Sequence, residues 1–133
     1  MLNLEILTPT RTILSEEVDE VSLPTETGQI GILPQHATLV TGIEAGLLQF
    51  RTNETWRKIF SFSGVAEVDN NNVQVMILDA ENIEDINLDY AKKKLDESLE
   101  ILNQAKTDRQ KKDAEKGVNV ARKRLYSLSL LDA

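Results

Sequence analysis

Apolar residues recur at every second position in the first part of the chain, at Leu2, Leu4 and Ile6, at Val21 and Leu23, and at Val73, Val75 and Ile77. A further run, Trp56, Lys58, Phe60 and Phe62, shares the same phase. Alternation of this kind marks strands with one buried face. Between the runs lie Thr8-Pro9, Pro24 to Gly28, Gly42 to Gly46 and Asp69 to Asn72, whose Gly, Pro, Asn and Asp favour turns. Short strands at this spacing predict an antiparallel β-sandwich over residues 1–87. From Leu88 the period lengthens. Ala91, Leu95, Leu99, Leu102 and Ala105 form one helical stripe, and Ala114, Val118, Ala121, Leu125 and Leu128 form another. Two stripes joined by the polar run Thr107 to Lys112 predict an antiparallel helix-loop-helix hairpin over residues 88–133, so the fold class is β + α. Gly117 falls inside the second helix, where it either costs stability or admits another backbone.

Charge sharpens the boundary near residue 87. The formal net charge is -7, but residues 1–87 carry four basic and fourteen acidic groups, while residues 88–133 carry eleven basic and eight acidic ones. The acidic total argues against a nucleic-acid partner. There is no cysteine, so disulfides, thiolate metal sites and a cysteine nucleophile are excluded. The start, Met-Leu-Asn-Leu-Glu-Ile, lacks a basic segment followed by an apolar run, and no window approaches the roughly 18 apolar residues of a membrane helix. Membrane association is therefore expected only through a partner.

Candidate chemistry is sparse. His36 is the only histidine, in the segment Thr27-Gly-Gln-Ile-Gly-Ile-Leu-Pro-Gln-His-Ala37, and reads either as a turn residue or as an interface contact. A hydrolase of the common kinds needs a base beside a nucleophile, and one histidine coordinates no metal alone. Acidic pairs Glu16-Glu17, Asp19-Glu20 and Glu84-Asp85 read as solvated surface. Gly28-x-x-Gly31 lacks the Gly-Lys-Ser/Thr tail of a phosphate loop and reads as a tight turn. No catalytic residue, cofactor or metal is expected. Arg122, Lys123 and Arg124, with Lys116, give the second helix a basic face that is either solvated or complementary to an acidic partner.

The segment Thr27 to Ala37 resembles the Gly-x-(Ile/Leu)-Gly-(Ile/Val/Leu)-(Leu/Tyr)-x-x-His-Ala signature of the epsilon subunits of F-type ATP synthases, most closely the chloroplast and cyanobacterial form. Leu7-Thr8-Pro9, Thr41-Gly42-x-x-x-Gly46, Gly64-x-Ala66-x-Val68, Asn72-x-Gln74, Asp79-Ala80-Glu81 and the closing basic helix extend the resemblance over nearly the whole chain. It implies a noncatalytic subunit of the central stalk. Its sandwich would sit on the c-ring through the loop Glu26, Thr27, Gly28, Gln29 and Ile30, stiffened by Gly28, Gly31 and Pro34. It would face the gamma subunit through His36 and Thr41. The hairpin would restrain ATP hydrolysis by bringing Arg122, Lys123 and Arg124 to the beta and alpha subunits. Some bacterial members bind ATP through (Ile/Leu)-Asp-x-x-Arg-Ala; here Leu88-Asp89-Tyr90-Ala91-Lys92-Lys93 replaces the Arg and the Ala by Lys, leaving Asp89 and Lys92 as a reduced candidate. The implied location is peripheral on the thylakoid membrane, on its stromal or cytoplasmic side, or on a bacterial plasma membrane. A rival of another class is a free-standing β-sandwich that binds a ligand and dimerises through its hairpin.

Overall fold

The computed structural model describes residues 1–82 and 87–129, and the chain divides into two compact units, Met1–Asn82 and Ile83–Ala133. Glu84-Asp85 and the side chain of Leu128 lie outside the described residues.

The first unit is a sandwich of two five-stranded sheets. Its strands are β1 (Leu2–Leu7), β2 (Thr12–Val18), β3 (Glu20–Thr25), β4 (Gly28–Ile32), β5 (Leu39–Ile43), β6 (Gly46–Thr52), β7 (Thr55–Ser61), β8 (Gly64–Asp69), β9 (Asn72–Ile77) and β10 (Ala80–Asn82). One sheet runs β2-β1-β9-β8-β5 and the other β10-β7-β6-β3-β4. All pairs are antiparallel except β1 with β9, which run parallel with Leu4 opposite Val73 and Ile6 opposite Val75. The inward positions of both sheets form one core, including Leu2, Leu4, Ile6, Val21, Leu23, Leu48, Phe50, Val73 and Val75. Burial of these branched and aromatic side chains between the sheets is the main source of the unit's stability.

The sequence phase fails on β7. Ile59 packs against the core and shares its face with Arg57, which is opposite Phe50, whereas Phe60 lies on the other face. Phe60 is nonetheless fully buried, edge-on to Phe62 at 5.4 Å between ring centroids, while Trp56 is 40% exposed. Aromatic size, not core direction, set the apparent alternation of Trp56, Phe60 and Phe62. Strand β6 escapes a period-two reading because Leu47 and Leu48, on opposite faces, are both buried.

Two connections are two-residue turns with both central residues at positive φ, Asn53 (51°) with Glu54 (68°) and Asn70 (47°) with Asn71 (64°). These are the backbone angles of type I′ turns, which match the twist of the flanking strands. Gly28 has φ 115°, which side chains rarely adopt, and it completes the Glu26-Thr27 turn between β3 and β4.

The second unit holds two helices that pack on one another, α1 (Leu88–Gln104) and α2 (Asp108–Ser129). Asn87 caps α1 by accepting from the Tyr90 N–H at 3.1 Å, and Asp89 lies in the first turn. Thr107 and Gln110 form a reciprocal cap on α2: the Gln110 N–H donates to Thr107 Oγ1, and Gln110 Oε1 accepts from the Lys106 and Thr107 amides. The run Thr107 to Lys112 is thus mostly the opening of α2 rather than a connection. Ala91, Ala114, Val118 and Ala121 are buried, on the stripes the spacing marks. Gly117 is exposed, and a Cβ there would meet nothing within 4 Å, so it serves no close approach.

Candidate functional site

Because β3, β4 and the following connection are consecutive, the segment Thr27 to Ala37 spans the sandwich from end to end. The Glu26-Thr27 turn sits at one end of β4; the connection Leu33 to Thr38 begins at the other, roughly 17 Å away for five extended residues. The segment expected as a glycine-stiffened loop is therefore largely the edge strand β4. Gly31 needs no special geometry, since a Cβ there would meet nothing within 4 Å. Strand pairing with β3, from Val21 opposite Ile32 to Thr25 opposite Gly28, supplies the rigidity instead.

At the turn end, Glu26, Thr27 and Gly28 are exposed and Ile30 is half-buried against the core. Thr25 Oγ1 donates to the Gly28 carbonyl at 2.7 Å and lies 3.3 Å from Thr27 Oγ1, which ties the turn down. Gln29 is also exposed, yet its amide is turned back along the sheet: Ser22 Oγ donates to Gln29 Oε1 at 2.8 Å, and Gln29 Nε2 donates to the Leu47 carbonyl at 3.1 Å.

At the other end, the His36 N–H donates to the Leu33 carbonyl at 3.2 Å, and His36 Nδ1 lies 2.8 Å from the Ala37 carbonyl oxygen. His36 is thus a backbone-bonded turn residue. The Asn71 side chain anchors this connection by accepting from the Gln35 N–H at 2.6 Å, with Gln35 at φ 67°. Thr41 lies in β5 on the same face as Leu39 and Ile43, half-buried, its hydroxyl 3.3 Å from the Gly42 carbonyl oxygen. The outward positions of this edge strand are Val40 and Gly42.

Those outward positions belong to an apolar surface that the sequence reading missed. Gly42 pairs with Val65, Val65 with Met76 and Met76 with Leu7, so four strands contribute one cross-strand row on the outer face. Val40 is 67% exposed, Val65 42%, Met76 44% and Leu78 68%. The signal was present: Val65 and Met76 are apolar at the polar phase of their strands. Contiguous exposed apolar groups of this kind mark interaction surfaces.

Beside this row, a cleft of about 510 Å³ is lined by Asn3, Glu5, Glu17, Glu67, Asp69 and Gln74, among others. Its acidic, polar lining is unlike the apolar enclosure of a small-ligand pocket. No cluster of three potential metal ligands occurs among the described residues, and no described helix is long and apolar enough to cross a membrane.

On α2, Arg122 and Lys123 are exposed, while Arg124 is half-buried and engaged by a neighbour. Asp89 and Lys92 are both exposed on α1, three residues apart and so on one helical face.

Comparison with known proteins adds to this geometry. Residues 1–83 match the family model of the β-sandwich domain of the ATP synthase delta/epsilon chain. The chain is 38% identical over 131 residues to the chloroplastic ATP synthase epsilon chain of Phaeodactylum tricornutum, covering 98% of both chains. It is 39% identical over 130 residues to that of Welwitschia mirabilis, covering 98% of this chain and 94% of the other. Among solved structures, a chain of the Euglena gracilis mitochondrial ATP synthase, in an assembly of OSCP, F1 and c-ring, superposes with a TM-score of 0.85 at 20% identity, covering 97% of this chain and 81% of that one. A chain of the Tetrahymena thermophila mitochondrial ATP synthase central stalk and c-ring gives a TM-score of 0.77 at 13% identity, covering 96% of each.

Proposed function

The chain belongs to the ATP synthase epsilon-chain family, and on that footing we propose that it is a noncatalytic rotor subunit joining the c-ring to gamma. The observation that carries the reading is the placement of the two candidate contacts. The Glu26-Thr27 turn caps one end of the sandwich, and the His36 connection, anchored by Asn71, lies at the other. The apolar row lies on the outer face of the opposite sheet toward the turn end, where the Glu44 N–H just past β5 donates to the Pro24 carbonyl. A rigid body with a polar tip and a separate apolar flank can hold two different neighbours at once. Glu26, Thr27 and Gly28 would meet polar loops of the c-ring. On the outer face, Val40 toward the His36 end and Val65, Met76 and Leu78 toward the turn end would cover the gamma subunit, with Thr41 on the inward face of the same edge strand as Val40.

Transmission of torque needs stiffness, not chemistry. The paired edge strand β4 and the shared core between the sheets supply it. The hairpin would restrain ATP hydrolysis, with exposed Arg122 and Lys123 reaching acidic residues of the beta and alpha subunits and Arg124 supporting them. Asp89 and Lys92 form at most a reduced version of a nucleotide site, with Lys in place of a planar guanidinium, so no nucleotide or other cofactor is proposed. The complex would stand at a thylakoid membrane, with this subunit peripheral to it on the stromal or cytoplasmic side.

Co-purification tests the reading. Tagged full-length chain expressed in its own cell is expected to recover gamma, alpha, beta and the c-ring. A monodisperse homodimer without those subunits would favour a free-standing ligand-binding module instead.

A further inference from the structure

Proline is disfavoured inside a sheet because it has no N–H to give the ladder. Pro24 is buried in β3, which has a neighbour on each side, β6 and β4. Toward β6 the pairing runs Glu20 opposite Arg51, Val21 opposite Phe50 and Ser22 opposite Gln49, and then stops. Continued by two residues, that register sets Pro24 opposite Leu47. Residue 24 points its backbone polar groups toward β6, because Thr25 and Gly28 close the two-residue turn on the β4 side. Its carbonyl finds a donor there, the Glu44 N–H at 2.9 Å. Pro24 has no N–H to continue the ladder, and the Leu47 carbonyl instead accepts from the Gln29 side chain at 3.1 Å.

Gln29 stands directly opposite Pro24 on the next strand, so the two side chains share a face. From there its Nε2 reaches the Leu47 carbonyl, and its Oε1 is fixed by Ser22 Oγ. The amide therefore crosses β3 at the one place where the backbone cannot complete the bond. We propose that the Gln29 side chain stands in for the backbone N–H that Pro24 lacks, positioning the β3–β4 turn so that Glu26 and Thr27, rather than Gln29, are what the partner touches. The second half rests on the proposed contact between this turn and the c-ring. Gln29 is a positioning residue, spanning edge strand, proline strand and β6.

Amide exchange in the full-length protein, with Gln29→Leu, Gln29→Glu, Pro24→Ala and the double variant Pro24→Ala/Gln29→Leu, tests the brace. Loss of one such bond is expected to speed exchange at Gly28 and Ile30 about five- to tenfold in Gln29→Leu, with β8 and β9 unchanged. Gln29→Glu, which still accepts from Ser22 but has no amide donor, should behave alike. In the Pro24→Ala background, where residue 24 donates its own N–H, Gln29→Leu should change exchange less than about twofold. Unaltered exchange in Gln29→Leu, or equal acceleration in both backgrounds, would overturn the brace. Attachment to the c-ring in the assembled complex is read separately. Thr27→Arg should weaken it strongly and Gln29→Leu only mildly; if Gln29→Leu weakens it with exchange unaltered, Gln29 is itself the contact and the proposal fails. If Thr27→Arg leaves attachment intact, the ring contact falls, while the exchange data alone still decide the brace.

Discussion

Glu16 of β2 and Arg57 of β7 form an ion pair across the two sheets, and the Arg57 guanidinium also lies 4.5 Å from the centroid of the Phe50 ring. The pair closes the sandwich at a margin where the inward face runs out of apolar residues. Both side chains are partly exposed, so the charge contribution is small and the ring contact matters comparably. Glu16→Gln is expected to lower unfolding stability by under about 1 kcal/mol, and Arg57→Ala by about 1–2 kcal/mol because it also uncovers Phe50. Urea unfolding at low and high salt checks this; the Glu16 effect should fade with salt, and the Arg57 effect only in part, because the lost cover of Phe50 remains.

Gly64 begins β8 where a Cβ would come within 2.0 Å of the Met76 carbonyl oxygen and 2.7 Å of the Ile77 Cα. Backbone on the facing strand cannot yield as a flexible side chain does. Gly64→Ala should cost about 3 kcal/mol or more and shift the β8–β9 pairing. Thermal denaturation measures it, and a loss below about 1 kcal/mol would contradict the close packing assigned here.

Gly117 is the opposite case, exposed on α2 with open space around its missing Cβ. Gly117→Ala should raise helix stability by about 1 kcal/mol, seen as slower amide exchange across α2. No acceleration in the sandwich should accompany it.

Arg122 and Lys123 are the exposed members of the basic run. Replacing both by Ala should raise ATP hydrolysis by the assembled complex severalfold when the proton gradient is low, without loss of assembly. Unchanged hydrolysis would remove the regulatory role proposed for this face of α2.

Much of the fold was legible from residue spacing. Period-two runs located β1, β3 and β9, and the change to helical period located α1 from Leu88. What escaped did so for physical reasons. Strand β6 buries residues on both faces, at Leu47 and Leu48, and β7 carries its largest aromatics away from the core. Strand β4 was hidden by glycines that look like a turn, although only Gly28 has positive φ among the described glycines. At the site, spacing placed Glu26 to Ile30 and His36 in one segment but could not separate them to opposite ends of a strand. Nor could it show that the Gln29 amide lies back across β3 to the Leu47 carbonyl, because that depends on a proline seen across a register. The apolar row of Gly42, Val65, Met76 and Leu7 needs the pairing of four strands before it exists.

The central claim, two partners held at two separate surfaces, is tested most directly by site-specific crosslinking in the assembled synthase. The chain has no cysteine, so a single introduced one is unique. Thr27→Cys is expected to crosslink to a c-ring subunit and Val40→Cys to gamma, each without the other product. Exchange of those partners, or failure of both positions to reach either subunit in an intact complex, would contradict the account.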